Sequence, residues 1–407
     1  MTHVFVGSPS PLSPLTPLPG RSFDLSTETT RHLHASLLDR DGPTLIDSDI
    51  PLDLLIEACL EPAIAAQTAN VDRWSLYLLR TTLGLDAHLE AFRDIYLMAA
   101  GDVVDLFGEA LFAHLAGGGQ ADRSLRAFFD EALQAREGDP SVSLAAEHVS
   151  LAWTLAAGEV RPGDDLAALA CVELSYSAPW PLNVVLHGGA VADYNRVFCF
   201  LLQLRCCVWH LQRGWTALKA AALRRRTRSV VLRHVQATRA EMDHFLTILQ
   251  GYLISQILSV SWGELSDALA GGVDSVDALI GVHAAFISRV NRRALLGTNT
   301  AAVHKIVMGI MQAVVEYNQA IPRLVAALHV RGGGGPTDAA DGGDSALDAG
   351  ALEAMEAVEA RFRKYIDFLV LLLDKLVRRG FQPHIRDLLT RLDYNGYYRA
   401  RLAAKKR

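Results

Sequence analysis

Glycine, histidine and serine occur in this chain without the spacing that common enzyme motifs require. Glycine clusters at 117–119 and 332–335 could hold a phosphate group, but neither is followed by the lysine of a phosphate-binding loop. No H-E-x-x-H pair for a hydrolytic zinc and no G-x-S-x-G nucleophile turn is present. We therefore predict that the chain is not an enzyme and needs no cofactor.

The cysteines and histidines do not predict a metal site. Fourteen histidines are scattered along the chain, and the closest pair is His32 and His34. Cys206 and Cys207 are adjacent on a predicted helix, so their side chains point in different directions and do not readily chelate one metal ion. Five cysteines without C-x-x-C spacing also exclude a disulfide framework and indicate a reducing compartment.

One stretch of the chain is strongly basic although the formal net charge is −6. Residues 194–240 contain no Asp or Glu, and Trp209 and Trp215 lie among the basic residues. The ten basic residues are Arg196, Arg205, Arg213, Lys219, Arg224, Arg225, Arg226, Arg228, Arg233 and Arg239. Three interpretations are open: a solvated helical hairpin, docking to an acidic protein, or nucleic-acid binding, which we rank last. The tryptophans are six residues apart and do not share one helical face, which favours packing over base stacking.

Apolar residues spaced three and four apart predict helices over most of the chain. The predicted helices are 71–83, 85–98, 102–116, 190–223, 227–262, 274–295, 299–329, 351–379 and 384–392. Loops are predicted at 117–122 and 136–143, and one extended segment or short hairpin at 171–186. A length of 407 residues exceeds what one hydrophobic core usually supports. We predict an all-α protein of consecutive helical bundles.

The flanking segments differ in composition from this helical region. Residues 1–44 include a proline-rich stretch and predict a disordered arm, whereas 45–395 form the helical domain. Glycine, Asp and Ala dominate 331–350, which predicts a flexible insert, and 396–407 form a basic tail. The sequence shows neither a signal peptide nor an apolar stretch long enough to span a membrane, so we predict no membrane contact.

Several segments, taken in order, resemble the gamma-tubulin complex components. They are 85–107 (LDAHLEAFRDIYLMAAGDVVDLF), 174–186 (LSYSAPWPLNVVL) with 193–204 (DYNRVFCFLLQL), 239–262 (RAEMDHFLTILQGYLISQILSVSW) and 274–296, which contains His283 and Phe286. In that family a strand with W-P-L precedes a helix with Y-N-x-V-F-x-F-L-L. The resemblance covers the C-terminal half of the family over residues 45–395.

The resemblance implies a structural protein rather than a catalyst. In the family, the C-terminal half binds gamma-tubulin, and the N-terminal half makes lateral contacts with other gamma-tubulin complex components in a ring that templates microtubules. Residues 1–44 show no match to that N-terminal half. The implied location is the cytoplasm, at the microtubule-organising centre or spindle pole. The alternatives are a helical scaffold without tubulin binding and a nucleic-acid-associated protein that uses 196–239.

The resemblance also suggests which residues act. We expect exposed residues of 73–102 and 228–250 to form the gamma-tubulin docking face, since an acidic tubulin surface complements basic helices. The candidates are Arg93, Asp102, Arg233, Arg239, Asp243 and His244. Six signature residues are expected to hold the fold instead: Trp180, Pro181, Leu182, Tyr194, Phe198 and Phe200.

Overall fold

A computed structural model describes most of the chain from residue 60 onward. The described residues are 60–117, 124–136, 138–154, 163–225, 230–330, 343–380 and 383–405. The chain divides into two compact units, 1–75 and 76–407. The first unit is described only over residues 60–75, most of which belong to a helix with no buried residue. The predicted arm at 1–44 lies outside the described residues.

Helices account for most of the described elements, which confirms the all-α prediction. In chain order the α-helices are α1 Glu61–Tyr77, α2 Leu85–Ile95, α3 Gly101–Ala116, α4 Ser124–Gln134, α5 Pro140–His148, α6 Asp165–Leu169, α7 Gly188–Arg225, α8 Val230–Ile254, α9 Trp262–Ala270, α10 Val276–Arg293, α11 Ala301–Val330, α12 Gly343–Arg378, α13 Pro383–Leu392 and α14 Tyr397–Ala404. The strands are β1 Val149–Trp153 and β2 Val172–Tyr176. Two π-helical segments, Leu78–Thr82 and Ser255–Ser261, and two 3₁₀ turns, Leu182–Val184 and Thr298–Thr300, complete the described elements.

Helix α7 is the central element of the second unit. At 38 residues it is about 57 Å long, and it contacts α3, α6, α8, α10, α11 and β2. Its apolar residues are buried on several sides, as Tyr194, Val197, Leu202 and Leu211 show with exposures of 0 or 1%. A helix that is apolar on more than one side requires partners on each of those sides. The surrounding helices therefore assemble on α7.

Side chains packed onto two glycines position α11 against its two main neighbours. A Cβ atom built at Gly214 on α7 would lie 2.3 Å from Asn318 Oδ1 of α11. A Cβ atom at Gly309 on α11 would lie 3.0 Å from Tyr365 Cζ of α12. Space rather than backbone conformation therefore favours glycine at both positions.

The extended segment pairs with a strand outside the predicted range. Strands β1 and β2 are antiparallel, with Val149 opposite Tyr176 and Trp153 opposite Val172. The prediction of an extended segment at 171–186 is right over β2, but a hairpin within that range is wrong. Pro179 and Pro181 have no N–H group to donate to a sheet, and the chain turns into the 3₁₀ turn Leu182–Val184.

Helix α5 corrects the prediction of a loop at 136–143. Asp139 is the N-cap and accepts a hydrogen bond from the Ser141 N–H at 3.1 Å, and Pro140 occupies the first helical position. An N-cap Asp followed by proline is a helix-start signal, and the predicted loop did not take it into account. The Ser141 hydroxyl also donates to buried Asp94 Oδ2 at 2.6 Å, which joins α5 to α2.

Two other boundaries differ from the predictions. Helix α12 begins at Gly343 instead of 351, so part of the predicted 331–350 insert is helical, and 331–342 lies outside the described residues. The predicted basic tail contains α14, which packs on α12. Arg401 of α14 pairs with Glu241 at 3.0 Å and also binds Asp367. Charge pairing orders this segment, which composition alone presents as a tail.

The helical stretch Val230–Ala270 is long and apolar enough to cross a membrane by length and composition, with a mean hydropathy of 1.3 in its 18-residue window. In the fold, 39% of that window is buried. Met242, Phe245 and Leu249 face the core, and α8 packs against α7 and α13. Packing in a protein core accounts for the buried apolar residues of this stretch.

Candidate docking surface

Three of the six predicted docking residues lie on the outer face of α8. Arg233, Asp243 and His244 are exposed, whereas Leu232, Met242 and Phe245 beside them are buried. Exposed positions recur along α8 at the helical period, from Arg233 through His244 to Ile254. The 22 residues from Arg233 to Ile254 correspond to about 32 Å of helix. A face of this length suits a protein partner better than a small molecule.

Arg239, the fourth candidate, is engaged within the protein. Its guanidinium lies 5.0 Å from the centre of the Trp215 ring on α7. Its Nε atom is buried and has no hydrogen-bond partner among the described residues. Cation–π stacking of this kind holds α8 on α7. Arg239 is therefore better placed to position α8 than to contact a partner.

Arg93 and Asp102 lie near the opposite end of the same helical stretch. Arg93 Nε donates to Asp94 at 2.8 Å, and its guanidinium lies 5.1 Å from the centre of the Trp262 ring at the start of α9. Asp102, exposed in the first turn of α3, pairs with Arg136 at 3.3 Å. The structure thus separates the six candidates into two groups instead of bringing them together at one point.

Two exposed apolar residues lie between these groups. Ile254 at the end of α8 is 45% exposed, and Val260 in the π-helical segment is 38% exposed. The Ser261 hydroxyl donates to the Gln256 carbonyl at 2.8 Å, five residues back along this segment. Widened helical turns of this type occur frequently at functional sites. We name the set Arg233, Asp243, His244, Ile254 and Val260 the α8 ridge.

Most described arginines of the basic stretch 194–240 have a partner within the chain. Arg205 pairs with Asp105 at 3.0 Å, and Arg196 pairs with Asp193 at 3.5 Å. Arg213 stacks over Trp209 at 4.7 Å, as Arg239 does over Trp215. The side chains of the cluster 224–228 lie outside the described residues. The described part of this stretch is therefore not a free basic patch.

The tryptophans of this stretch serve as surfaces on which arginines stack. Trp209 also packs edge-on against Phe112 of α3, with ring centres 5.9 Å apart. The prediction that they are packing residues agrees with this arrangement, and the cation–π contacts add a role that their spacing did not indicate.

Four of the six signature residues are buried. Leu182, Tyr194, Phe198 and Phe200 are each at most 2% exposed. The Tyr194 ring lies 4.7 Å from Phe92, and its hydroxyl is 3.1 Å from His283 Nε2. These contacts join α2, α7 and α10 in one aromatic cluster. Burial lowers the pKa of His283 to about 4, and the nearby His187 shifts the pKa in the same direction.

Trp180 does not pack as predicted. It is 80% exposed, and Pro181 after it is half-buried. The structure therefore contradicts the expectation that Trp180 holds the fold by packing, because Leu182 and not Trp180 enters the core. An exposed tryptophan on a turn is unusual in a protein surface and is typical of contact sites.

Sequence reasoning did not single out two exposed tyrosines near the end of the chain. Tyr394 is 89% exposed and Tyr397 is 51% exposed, on either side of the turn between α13 and α14. The sequence L-D-Y-N-G-Y-Y contains the signal, since Asn395 and Gly396 favour a turn and the aromatic residues flank it. Tyr398, the next residue, is buried instead.

One group of potential metal ligands was also missed. Asp165, Cys206 and His210 are all buried, and their ligand atoms lie within 4.8 Å of one another. Cys207 is not part of this group, and its thiol contacts the Met311 carbonyl at 3.7 Å. No local sequence signal marks this group, because Asp165 is far from Cys206 and His210 in the chain.

These features define a class of protein: a large, mostly helical assembly built on one long helix, whose described surface offers an extended ridge and exposed aromatic residues. A family model described as gamma tubulin complex component C-terminal matches residues 85–398. The chain belongs to the gamma-tubulin complex component family.

Individual relatives agree with this assignment. Gamma-tubulin complex component 6 of Homo sapiens is 30% identical over 361 residues, which cover 86% of this chain and 19% of the relative. Gamma-tubulin complex component 5 of Mus musculus is 24% identical over 83% of the chain and 32% of its own length. Spindle pole body component alp6 of Schizosaccharomyces pombe is 24% identical over 54% of the chain and 27% of its own length. The chain thus spans about a fifth of the length of the component 6 relatives.

Proposed function

We propose that this chain is a structural, non-catalytic component of a gamma-tubulin complex, that it binds gamma-tubulin and that it supports microtubule nucleation. The observation that carries the proposal is the match of the family model to residues 85–398. The spindle pole body relative supports a cytoskeletal location at the microtubule-organising centre. Other gamma-tubulin complex components are proposed as further partners.

The packing of the second unit suits this role. A protein that holds a tubulin-like subunit in a fixed position needs a stiff body. Here α7 is buried among α3, α6, α8, α10 and α11. Tight packing at Gly214 joins α7 to α11, and tight packing at Gly309 joins α11 to α12. Close-packed interiors have low compressibility and transmit force instead of absorbing it.

The α8 ridge is the docking face that we propose. It combines exposed charges at Arg233 and Asp243 with apolar side chains at Ile254 and Val260. Interfaces typically place apolar residues at their centre and charges at the rim. We expect the apolar residues to supply most of the affinity and the charged residues to supply orientation and association rate.

The charge pattern of the ridge modifies the docking hypothesis. Arg233 lies on the same face as Asp243, so the ridge is mixed in charge instead of strongly basic. Arg196 and Arg205 are ion-paired. Arg213 and Arg239 stack on tryptophan rings, so most described arginines of the 194–240 stretch have a partner within the chain. The same pairing weakens the case for nucleic-acid binding, which requires cations free to contact phosphate.

Co-elution with purified gamma-tubulin tests the proposed function. The chain and gamma-tubulin are mixed and analysed by size-exclusion chromatography with light scattering. We expect a complex of defined stoichiometry that persists at moderate salt. Separate elution of the two folded proteins would overturn gamma-tubulin binding, and retention of a labelled oligonucleotide instead would favour the nucleic-acid alternative.

A further inference from the structure

The buried group Asp165, Cys206 and His210 has the chemistry of a metal site. Cys206 and His210 are four residues apart on α7, so their side chains share one face of the helix. Asp165 approaches them from the short helix α6, and its Oδ2 atom lies 2.8 Å from His210 Nε2. The three residues are 6%, 0% and 6% exposed respectively.

A hydrogen-bonded Asp–His pair alone does not account for all three residues. The Asp165 carboxylate also accepts from Gln319 Nε2 of α11 at 3.2 Å, so Asp165 and His210 are both satisfied. The Cys206 thiol, in contrast, is fully buried and makes no hydrogen bond to any residue that the structure describes. Its sulfur nevertheless lies within 4.8 Å of both the carboxylate and the imidazole.

The donor set indicates which ion would bind. One carboxylate oxygen, one thiolate sulfur and one imidazole nitrogen form the mixed, borderline-soft set that Zn²⁺ accepts, whereas Mg²⁺ and Ca²⁺ prefer oxygen alone. Zn–O and Zn–N bonds of about 2.0–2.2 Å in a tetrahedron place neighbouring donors about 3.3 Å apart. The present 2.8 Å between Asp165 and His210 therefore needs to open by about half an ångström as the ion replaces the shared proton.

Charge balance and access also favour a divalent ion. An ionised carboxylate and a thiolate together carry two negative charges, so a divalent cation makes the buried group neutral, which the interior of a protein requires. A cavity of about 480 Å³ lies beside His210 and Gln319. Arg213 and Thr216, which line it, are exposed. Solvent therefore enters this cavity as far as His210, and a water molecule from it can supply a fourth ligand.

We propose that Asp165, Cys206 and His210 form a Zn²⁺-binding site that ties α6 to α7 next to α11. The site is structural, because it lies in the core among three elements. It is independent of the proposed gamma-tubulin binding, since none of its residues belongs to the α8 ridge.

Cobalt substitution tests this site directly. The full chain is stripped with a chelator and titrated with Co²⁺, and a thiolate-to-cobalt charge-transfer band in the near ultraviolet reports the Cys206 ligand. We expect one Co²⁺ per chain, displacement of the band by Zn²⁺, and a rise in the melting temperature on adding Zn²⁺. Absence of the band from the folded chain would overturn the proposal.

The adjacent cysteine provides a matched control. Cys206→Ala should abolish the band and weaken Zn²⁺ binding at least tenfold, whereas Cys207→Ala, which alters an equally buried thiol, should retain both. His210→Gln and Asp165→Asn should also weaken Zn²⁺ binding at least tenfold. Far-ultraviolet circular dichroism and metal-free melting curves establish that each variant is folded. Retention of the band in Cys206→Ala, or its loss only in Cys207→Ala, would contradict the site.

Discussion

At the scale of single residues, burial separates the signature residues that hold the fold from the one that does not. Phe198 is 2% exposed and Trp180 is 80% exposed, although both belong to the family signature. Phe198→Ala should lower the free energy of unfolding by about 3–5 kcal/mol through lost packing and cavity formation. Trp180→Ala should change it by no more than about 0.5 kcal/mol. Urea denaturation of both variants checks the contrast, and equal losses would show that Trp180 is structural after all.

The buried residue His283 also predicts how the stability of the fold depends on pH. His283 is 3% exposed and has a pKa of about 4, against about 6.5 in the unfolded chain. Between these values the unfolded state binds more protons, so stability falls as pH decreases from about 6.5 towards 4. We expect His283 to account for about 2 kcal/mol of the stability lost between pH 8 and pH 5.

Replacement of that histidine isolates its contribution. His283→Gln should show a smaller pH dependence of its urea midpoint than the unaltered chain, although it is less stable at pH 8. An identical pH dependence in the two proteins would contradict the assignment to His283.

At this scale, predictions from the sequence are correct where the residue type alone decides whether a side chain is buried. Leu182, Phe198 and Phe200 are apolar members of the family signature. All three are buried, as predicted. Sequence reasoning failed for Trp180, because two flanking prolines decide the path of the turn. It also missed Asp165 beside Cys206 and His210, because only tertiary packing brings these residues together.

At the scale of elements, the crossing of α7 and α11 depends on a glycine. A Cβ atom at Gly214 would lie 2.3 Å from Asn318 Oδ1 and 2.9 Å from Ile321 Cδ1. Gly214→Ala should therefore cost about 1–3 kcal/mol through overpacking, although alanine is the better helix former. Thermal or urea denaturation provides the measurement.

A second glycine within a helix gives the opposite expectation. Gly251 on α8 is exposed, and a Cβ atom built there meets no atom within 4 Å. Gly251→Ala should stabilise the protein by about 0.5–1 kcal/mol. If both variants changed stability in the same direction, the close approach of α7 and α11 would not be what restricts position 214.

The C-terminal helix α14 is held by charges that are largely removed from solvent. Arg401 is 17% exposed and binds both Glu241 of α8 and Asp367 of α12. Arg401→Ala should cost about 2 kcal/mol, because two partly buried carboxylates each lose one charged partner while Arg363 and Lys405 remain. Lys405→Ala removes a 59% exposed partner of Asp367 and should cost less than about 1 kcal/mol. Comparable losses in urea denaturation would show that these charges do not dock α14.

Element types followed from periodicity, but several element ends and partners did not. The long helices agree with their apolar spacing to within a few residues, except that α1 begins at Glu61 instead of 71 and α12 begins at Gly343 instead of 351. Helix α5 was not predicted because a proline such as Pro140 is common both in loops and in the first turn of a helix. The Asp139 cap distinguishes the two. The partner of β2 was missed because β1 is short and carries no turn signal that joins it to residues 172–176.

At the scale of the whole molecule, family membership and the exposed ridge together form the basis of the functional proposal. Composition alone suggested partners through local basicity, yet the described arginines of 194–240 are mostly paired or stacked. We therefore expect apolar residues of the α8 ridge to supply most of the affinity for gamma-tubulin, with charge in a secondary role. Charge reversal by Arg233→Glu should accordingly reduce affinity for gamma-tubulin only a few-fold, mainly through slower association at low salt. Lys305→Glu, an exposed charge reversal on α11, serves as its control in stopped-flow measurements.

The affinity of gamma-tubulin for a ridge variant tests the central claim most directly. Ile254→Asp places a charge at a 45% exposed apolar position of the ridge, and Leu371→Asp does the same at a 44% exposed position of α12. Isothermal titration calorimetry with purified gamma-tubulin should give a Kd at least tenfold higher for Ile254→Asp, which is about 1.4 kcal/mol, and an unchanged Kd for Leu371→Asp. An unchanged Kd for folded Ile254→Asp, or an equal loss in both variants, would contradict docking on the α8 ridge.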